Sequence, residues 1–353
     1  MPVVNSRRAG SKDVSAPPAF RKALLAEPAG DRIRCGLCYQ RCLIPDGEFG
    51  LCATRVNLSG ELYTTVYGDI LACESRPVEI KPFFHFHPGK TMMTFCGPSC
   101  NLRCQWCQNH SLSRAMPKPP GVRRVDPSEI IDAARAAGDI GLCASFTEPT
   151  LLFEFCLELF RESREIGMVN TFVSNGYMRP EALNMLARSG LNAINIDIKG
   201  SDGVYREQCR AGLGDRPVWE NVRFALALGL HVEVVHLVVS GLNDSEGAFH
   251  EICSKHLEFA GPEVPLHITS YRPAYRYRQP PTSIDFLERA YHAAREAGIL
   301  FPYLGNVPGH AFENTYCPDC GKLLLARSGF RLEQDLTEGY RCGSCGFRLP
   351  VVS

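Results

Sequence analysis

The chain has 353 residues, with 38 Lys and Arg against 38 Asp and Glu. That length allows one large core plus one or two small modules, and the even charge balance gives no reason to expect nucleic acid or an anionic membrane as a partner. Its 17 cysteines would mean disulfides in a small secreted chain. Here they cluster as C-x2-C and C-x3-C behind an N-terminus without an apolar signal run, which favours metal thiolates in a reducing cytoplasm.

Residues 1–28 are rich in Ala, Pro, Ser and Arg without apolar period, and are expected to form a disordered arm. Residues 29–90 read as a Cys-rich module. Cys35, Cys38, Cys42 and Cys52 stand at spacings of 2, 3 and 9 residues among the turn formers Asp46, Gly47 and Gly50. Such a set could hold zinc or an auxiliary iron–sulfur cluster, or stay reduced as a packed knuckle; spacing leaves the three open. Residues 61–67 alternate like a short strand. Residues 77–89 form a connector in which His85 and His87 lie on one side of an extended chain. Satisfied histidines are the expected reading there, ahead of metal ligands.

Next comes Phe95-Cys96-Gly97-Pro98-Ser99-Cys100-Asn101-Leu102-Arg103-Cys104-Gln105-Trp106-Cys107. Cys100, Cys104 and Cys107 can cap three corners of one cubane cluster, whereas ordinary ferredoxin clusters take four thiolates; one iron is then free to bind something else. Adding Cys96 would make a four-thiol electron-transfer or zinc site, but zinc loops usually separate two C-x2-4-C pairs by a longer spacer. The spacing therefore favours the open-iron cluster.

C-x3-C-x-aromatic-C, with Trp106 in the aromatic slot, resembles the signature of the radical S-adenosylmethionine (radical SAM) enzymes. The resemblance implies a [4Fe–4S] cluster whose fourth iron chelates SAM, with reductive cleavage to a 5′-deoxyadenosyl radical that takes hydrogen from a substrate. The cofactor carries the hard step; the protein supplies placement, electronics and exclusion of water. Cys96 lies outside the pattern and is expected to be a non-ligand.

Over residues 91–304 apolar strand-like stretches (92–95, 142–146, 171–174, 193–197, 232–239 and 266–270) alternate with amphipathic helices. Asp126-Pro127-Ser128-Glu129 opens one helix and Gly138 stops it; Pro180 and Gly190 bracket another, and Thr282-Ser283 opens a third. Repeated strand–helix units imply a parallel sheet with right-handed crossovers, and six of them match the α/β fold of the resembled family, a partial (β/α)6 TIM-like barrel. A Rossmann sheet is set aside because no G-x-G-x-x-G follows the first strand. No apolar stretch approaches the ~20 residues that span a bilayer; 225–239 is interrupted by His231, Glu233 and His236. A soluble, cytoplasmic protein is expected.

Ligands bind beyond the carboxyl ends of such strands. After the second strand, Phe146-Thr147-Glu148-Pro149 resembles the family's Gly-Gly-Glu segment for the SAM amino group. Ser174 and Asn175 follow the third strand. Asp197 and Lys199, on one side of the fourth, suit an ammonium or hydroxyl and a carboxylate. Arg272 stands after the sixth, where related activating enzymes carry His; it keeps a carboxylate contact but cannot donate a proton at neutral pH. The resemblance places Trp106 beside the adenine and Thr147, Glu148, Ser174, Asn175, Asp197, Lys199 and Arg272 around SAM. His267 and His310 are candidates for substrate contact, the former equally readable as a core imidazole.

Residues 305–353 comprise a Gly-Asn-Val-Pro-Gly-His loop, expected to be flexible and to close the barrel mouth, and a paired C-x2-C array, Cys317/Cys320 and Cys342/Cys345. That array is a strong zinc-ribbon pattern, with hairpin strands expected at 322–325 and 327–332, and is read as a structural cover. From Cys35 onward the chain is most similar to the AmmeMemoRadiSam system radical SAM enzymes, relatives of pyruvate formate-lyase activating enzymes. This implies hydrogen abstraction from a small-molecule or peptide substrate, an electron donor such as flavodoxin or ferredoxin, and partner proteins of the same system. Activation of a glycyl radical enzyme is the alternative, followed by a non-enzymatic zinc-ribbon adaptor.

Overall fold

The computed structural model describes residues 16–353. Its centre is an eight-stranded sheet in linear order. An antiparallel edge strand, Ala72–Pro77, precedes seven mutually parallel strands: β1 (Thr91–Cys96), β2 (Gly141–Ala144), β3 (Val169–Ser174), β4 (Ala193–Ile198), β5 (His231–Val238), β6 (Leu266–Ser270) and β7 (Pro302–Gly305). The crossovers carry α1 (Pro127–Ala137), α2 (Phe153–Glu165), α3 (Pro180–Ser189), α4 (Arg216–Ala227), α5 (Glu246–Phe259) and α6 (Ile284–Ala297). Strands such as β4 are apolar on both faces because helices cover one side and the barrel interior fills the other.

The six expected strands and the α/β barrel are all present, and the structure adds two. Strand β7 opens on Pro302, which reads as a break but is tolerated at a strand's first residue. The edge strand Ala72–Pro77 is mostly polar and exposed, with no apolar alternation to announce it. Gly141 is required where β2 enters the sheet, since a Cβ there would sit 1.9 Å from the Val169 carbonyl oxygen. Helix α1 starts as expected: Glu129 accepts from the Asp126 backbone N–H at 2.9 Å, and Gly138 ends it at φ +72°.

Of the arm expected over 1–28, residues 1–15 lie outside the described residues. From there the chain is not an irregular arm: Arg21–Lys22 pairs with Tyr63 and Thr64, and Ala26–Ala29 pairs with Arg32–Cys35. The ribbon's hairpin is Leu323–Ser328 with Arg331–Asp335, the turn falling at Gly329-Phe330, with Gly329 at φ +64°, rather than at Ala326. Its Leu324, Leu325 and Leu349 pack on Phe84, Phe301 and Tyr303. The buried Arg327 guanidinium lies 4.1 Å over the Phe84 ring and donates to the Phe84 carbonyl at 3.0 Å.

Beneath the sheet, Glu233 of β5 is fully buried and collects four donors: the N–H groups of Phe84 (3.0 Å) and His85 (2.8 Å), His231 Nε2 (3.0 Å) and His267 Nε2 (2.7 Å). Burial alone would raise its carboxyl, yet the two imidazoles hold it well below the usual range. His85 Nε2 lies 2.7 Å from the Tyr303 hydroxyl, but its Nδ1 is buried without a partner, so the connector histidine is only half satisfied.

Burial pushes His85 down to about 3 and His236 and His256 each down to about 4. A depressed histidine binds its proton in the unfolded chain first, so each favours the fold above about 6.5 and loses that contribution as pH falls toward its folded value, by about 1.4 kcal/mol per pH unit. The buried carboxyls of Glu79 and Glu148, raised by burial, act in the opposite sense just above their ordinary range. We expect urea stability to drop from pH 6.5 to 4.5, and His256→Gln to make that slope shallower by about one such group; an unchanged slope in the variant would refute the assignment.

Candidate functional site

The loop leaving β1 carries the three clustered thiols, and its path is fixed from both sides. Gly97 admits no side chain, because a Cβ would lie 2.8 Å from Leu152 Cδ2. Ser99 turns at φ +75° and donates through Oγ to the Cys52 carbonyl at 2.6 Å. Arg103 ties the loop inward to the Cys100 carbonyl (2.6 Å) and outward to the Leu51 carbonyl (2.5 Å). From the sheet side, Thr147 Oγ1 donates to the Gly97 carbonyl at 2.8 Å and Asn109 Nδ2 to the Phe146 carbonyl at 2.7 Å.

Each of the three thiols meets a partner suited to a metal-bound sulfur. Cys100 Sγ accepts from Leu102 N at 3.4 Å and from Asn175 Nδ2 at 3.7 Å; Cys107 Sγ lies 3.4 Å from Ser113 Oγ; Cys104 Sγ lies 3.5 Å from Cys209 Sγ. Burial raises the free Cys100 thiol to about 12, while sharing a proton with Cys209 pulls Cys104 down to about 7, assisted by the Lys199 ammonium. The three sulfurs do not crowd as in a zinc site. Among the described residues, the group of three or more potential ligands whose atoms converge within 4.8 Å is Cys317, Cys320, Cys342 and Cys345. Three thiols on one loop, not converging to the size of a single-ion site, can hold three corners of a cubane. Cys96 ends β1, buried beside the Ala72 strand and off this loop.

Around this loop the strand ends contribute in different ways. Glu148, 3 % exposed, accepts at Oε1 from Thr150 N (3.1 Å), Thr150 Oγ1 (2.5 Å) and Ser174 Oγ (2.8 Å), and at Oε2 from Asn175 N (2.9 Å). It is a clamp on the ends of β2 and β3, with capacity left at Oε2. Asn175 turns its amide to the cluster loop, donating to Asn101 Oδ1 at 2.8 Å, rather than standing free. Asp197 and Lys199 form an ion pair beside Cys104; Asp197 Oδ1 is buried without a partner, and the Asp197 charge outweighs burial to keep Lys199 charged.

Trp106 is buried and meets Tyr277 edge-on, ring centroids 6.2 Å apart. Arg272 is exposed at the rim, where its Nη2 reaches the Asn306 carbonyl at 3.5 Å.

Two expected substrate contacts are not in this site. His267 sits near the start of β6, where it is bonded to Glu233 and stacked on Tyr303. His310 accepts from Phe312 N at Nδ1 (3.1 Å) and gives Nε2 to Glu288 at 3.0 Å, so both nitrogens are engaged on the helix layer. The loop before it is pinned: Asn306 Nδ2 donates to the Ser270 carbonyl, and Gly309 N and Gly329 N both donate to Glu313 Oε1.

The placement of three further residues was not legible in sequence, although Phe146 opens the segment that carries Glu148. Cys209 comes from an irregular turn far along the chain. Phe146 takes φ +64°, a conformation that costs a non-glycine residue. The Lys81 ammonium, almost wholly buried and lowered by burial, lies 4.0 Å over the Phe146 ring.

The C-terminal quartet has the dimensions of a tetrahedral metal site. Cys317 and Cys345 sulfurs are 3.4 Å apart and those of Cys320 and Cys342 3.5 Å, near the ~3.8 Å edge of a tetrahedron with ~2.3 Å metal–sulfur bonds.

The pattern defining the Radical SAM superfamily matches residues 94–253. The uncharacterized protein MJ0808 of Methanocaldococcus jannaschii is 38% identical over 338 residues, covering 94% of this chain and 100% of that protein. A GTP 3′,8-cyclase of Pelotomaculum thermopropionicum is 25% identical over 150 residues, 42% of this chain and 46% of the cyclase, so this chain spans about half the length of that relative. Among solved structures, a radical SAM methyltransferase from Sphaerobacter thermophilus aligns at TM-score 0.48 and 16% identity over 67% of this chain and 71% of that one. No helix among the described residues is long and apolar enough to cross a membrane. With its thiol loop at the carboxyl ends of a parallel sheet, the chain belongs to the family of MJ0808 of Methanocaldococcus jannaschii and carries a Radical SAM superfamily region over residues 94–253.

Proposed function

We propose that this radical SAM enzyme is of the AmmeMemoRadiSam type and takes hydrogen from a small-molecule or peptide substrate, with a low-potential donor such as flavodoxin or ferredoxin as its reductant. The observation that carries the reading is the three-thiol loop beside the Asp197–Lys199 pair. A [4Fe–4S] cluster on Cys100, Cys104 and Cys107, with SAM on its remaining iron, supplies reductive cleavage of the sulfonium bond.

The chain's own groups then have definite tasks. Lys199, whose charged form the Asp197 carboxylate favours against burial, donates to the SAM carboxylate; the partnerless Asp197 Oδ1 accepts from an ammonium or ribose hydroxyl. Glu148 acts mainly by position, fixing Ser174 and Asn175, and offers its spare Oε2 capacity to the SAM ammonium. Asn175 donates toward the Cys100 sulfur, which tunes a cluster's electron demand. Arg272 is placed at the rim for a carboxylate of SAM or substrate. The Cys104–Cys209 separation is too short for the two sulfurs to serve different corners of one cubane, so Cys209 is a neighbour of the cluster rather than its fourth ligand. The ribbon quartet is assigned zinc on its four-thiol chemistry and size.

Three outcomes follow. After anaerobic reconstitution, Cys104→Ala abolishes 5′-deoxyadenosine formation, whereas Cys96→Ala retains it; loss in the Cys96 variant overturns the ligand choice. Lys199→Ala weakens SAM binding about 10- to 100-fold, the worth of one charge-assisted hydrogen bond, with iron content unchanged; equal affinity removes Lys199 from the SAM site. Cys342→Ser releases about one zinc per chain and lowers the melting temperature, because metal binding is linked to folding; unaltered zinc content excludes the ribbon assignment. A glycine-centred radical raised on an added partner enzyme would favour the activase alternative over the proposed substrate class.

A further inference from the structure

The N-terminal cysteines converge. Cys35, Cys38, Cys42 and Cys52 line one cavity, closed elsewhere by apolar side chains such as Leu37, Ile44 and Leu151. Three of them are buried and Cys42 is half-buried, and all four are free thiols. One knuckle contact is already in place, Leu51 N donating to Cys42 Sγ at 3.4 Å.

Two further linings of this cavity lack partners. Arg55 is 1 % exposed; Nη1 is bound to Glu154 Oε1 at 2.6 Å, but Nε and Nη2 have no acceptor. Asn101, also 1 % exposed, has no acceptor for Nδ2. Orphaned buried donors are costly, about 1–3 kcal/mol each and more for charged groups. Two of them lining a cavity ringed by thiols call for an anionic guest. Reduced, uncharged thiols do not supply one.

Size separates iron from zinc. The ribbon quartet shows how this chain arranges four thiols around a single ion, with all four sulfurs within 4.8 Å. The N-terminal thiols surround a cavity without converging to that size. We propose that Cys35, Cys38, Cys42 and Cys52 hold a second [4Fe–4S] cluster, ligated entirely by protein thiolates, with Arg55 and Asn101 donating to its sulfurs.

Its location gives it a neighbour. Asn101 follows Cys100 directly and receives Asn175 Nδ2 at Oδ1, so one residue borders both thiol sets. Gln40 Nε2, between Cys38 and Cys42, donates to the Asn101 carbonyl at 3.0 Å, and Ser99 and Arg103 reach back to the carbonyls of Cys52 and Leu51. With no open iron, the second cluster has no place for SAM.

The test uses the full chain, zinc-loaded and anaerobically reconstituted with iron and sulfide. We expect about eight iron and eight acid-labile sulfide per chain. The Cys100→Ala/Cys104→Ala/Cys107→Ala variant keeps about four of each, with a reducible cluster EPR signal that added SAM leaves unchanged. Cys35→Ala/Cys38→Ala keeps about four, with a signal that SAM alters. A triple variant with wild-type circular dichroism but neither iron nor sulfide overturns the proposal, as does a second zinc in place of the second iron set. Should the triple variant not fold, Mössbauer spectra of the wild-type chain decide: half of the iron insensitive to SAM supports the site, and all of it responding refutes it. Failure of the radical SAM reading would appear separately, as full iron with no SAM response in any variant.

Discussion

A single buried carboxylate organises the site. Glu148 stands just past the end of β2 and binds donors from its own turn, from the last residue of β3 and from the residue after it. An ionised carboxyl in this position is stable only when its lone pairs are met, and burial pushes its pKa up even with four donors opposing. The two strand ends therefore cannot move apart without leaving a charge unsolvated. From that fixed base Asn175 reaches the cluster loop, and Thr147 holds the Gly97 carbonyl from which the loop departs. The placement of three thiols is thus a property of the sheet as much as of the loop that carries them.

The opposite end of the barrel has its own buried carboxylate. Glu233 anchors the N–H groups of Phe84 and His85 to β5, so the connector before β1 becomes the floor of the barrel. Removing one partner of such a network leaves an uncompensated charge, which is far more damaging than replacing the whole set. This arrangement explains why His267 is structural. A histidine on a strand entering from the floor meets Glu233 and Tyr303, whereas the chemistry lies at the strand exits.

Those two carboxylates mark what could and could not be read from sequence. Cys100, Cys104, Cys107 and the ribbon quartet are local in the chain, so spacing alone identifies them. The strands β1 to β6 announce themselves because burial on both faces demands continuous apolar runs. Glu233 appears in sequence only as an interruption of such a run, since its four partners come from residues 84, 85, 231 and 267. Cys209 is likewise invisible: it meets Cys104 from more than a hundred positions away. Strand β7 and the edge strand were hidden by a leading proline and by polar exposure. His310 illustrates a different difficulty, because a composition that favours a mobile loop was overruled by Glu313, which pins that loop to the ribbon turn.

The two cysteine modules flank the barrel at opposite ends, and their attachments differ in kind. The ribbon is joined to the floor through Arg327, Phe84 and Tyr303, contacts that remain far from the thiol loop and suit a cover. The N-terminal module is joined to the thiol loop itself: Cys52, Leu51 and Gln40 exchange hydrogen bonds with Ser99, Arg103 and Asn101, while Arg55 reaches Glu154 on α2. Short strands such as Arg32–Cys35 and Leu43–Pro45 bury little on their own, and modules this small usually need a staple. A group bound by Cys35, Cys38, Cys42 and Cys52 would supply it. Whatever orders that module also sets the outer wall of the loop on which Cys100 sits, through the contacts of Cys52, Leu51 and Gln40 with Ser99, Arg103 and Asn101.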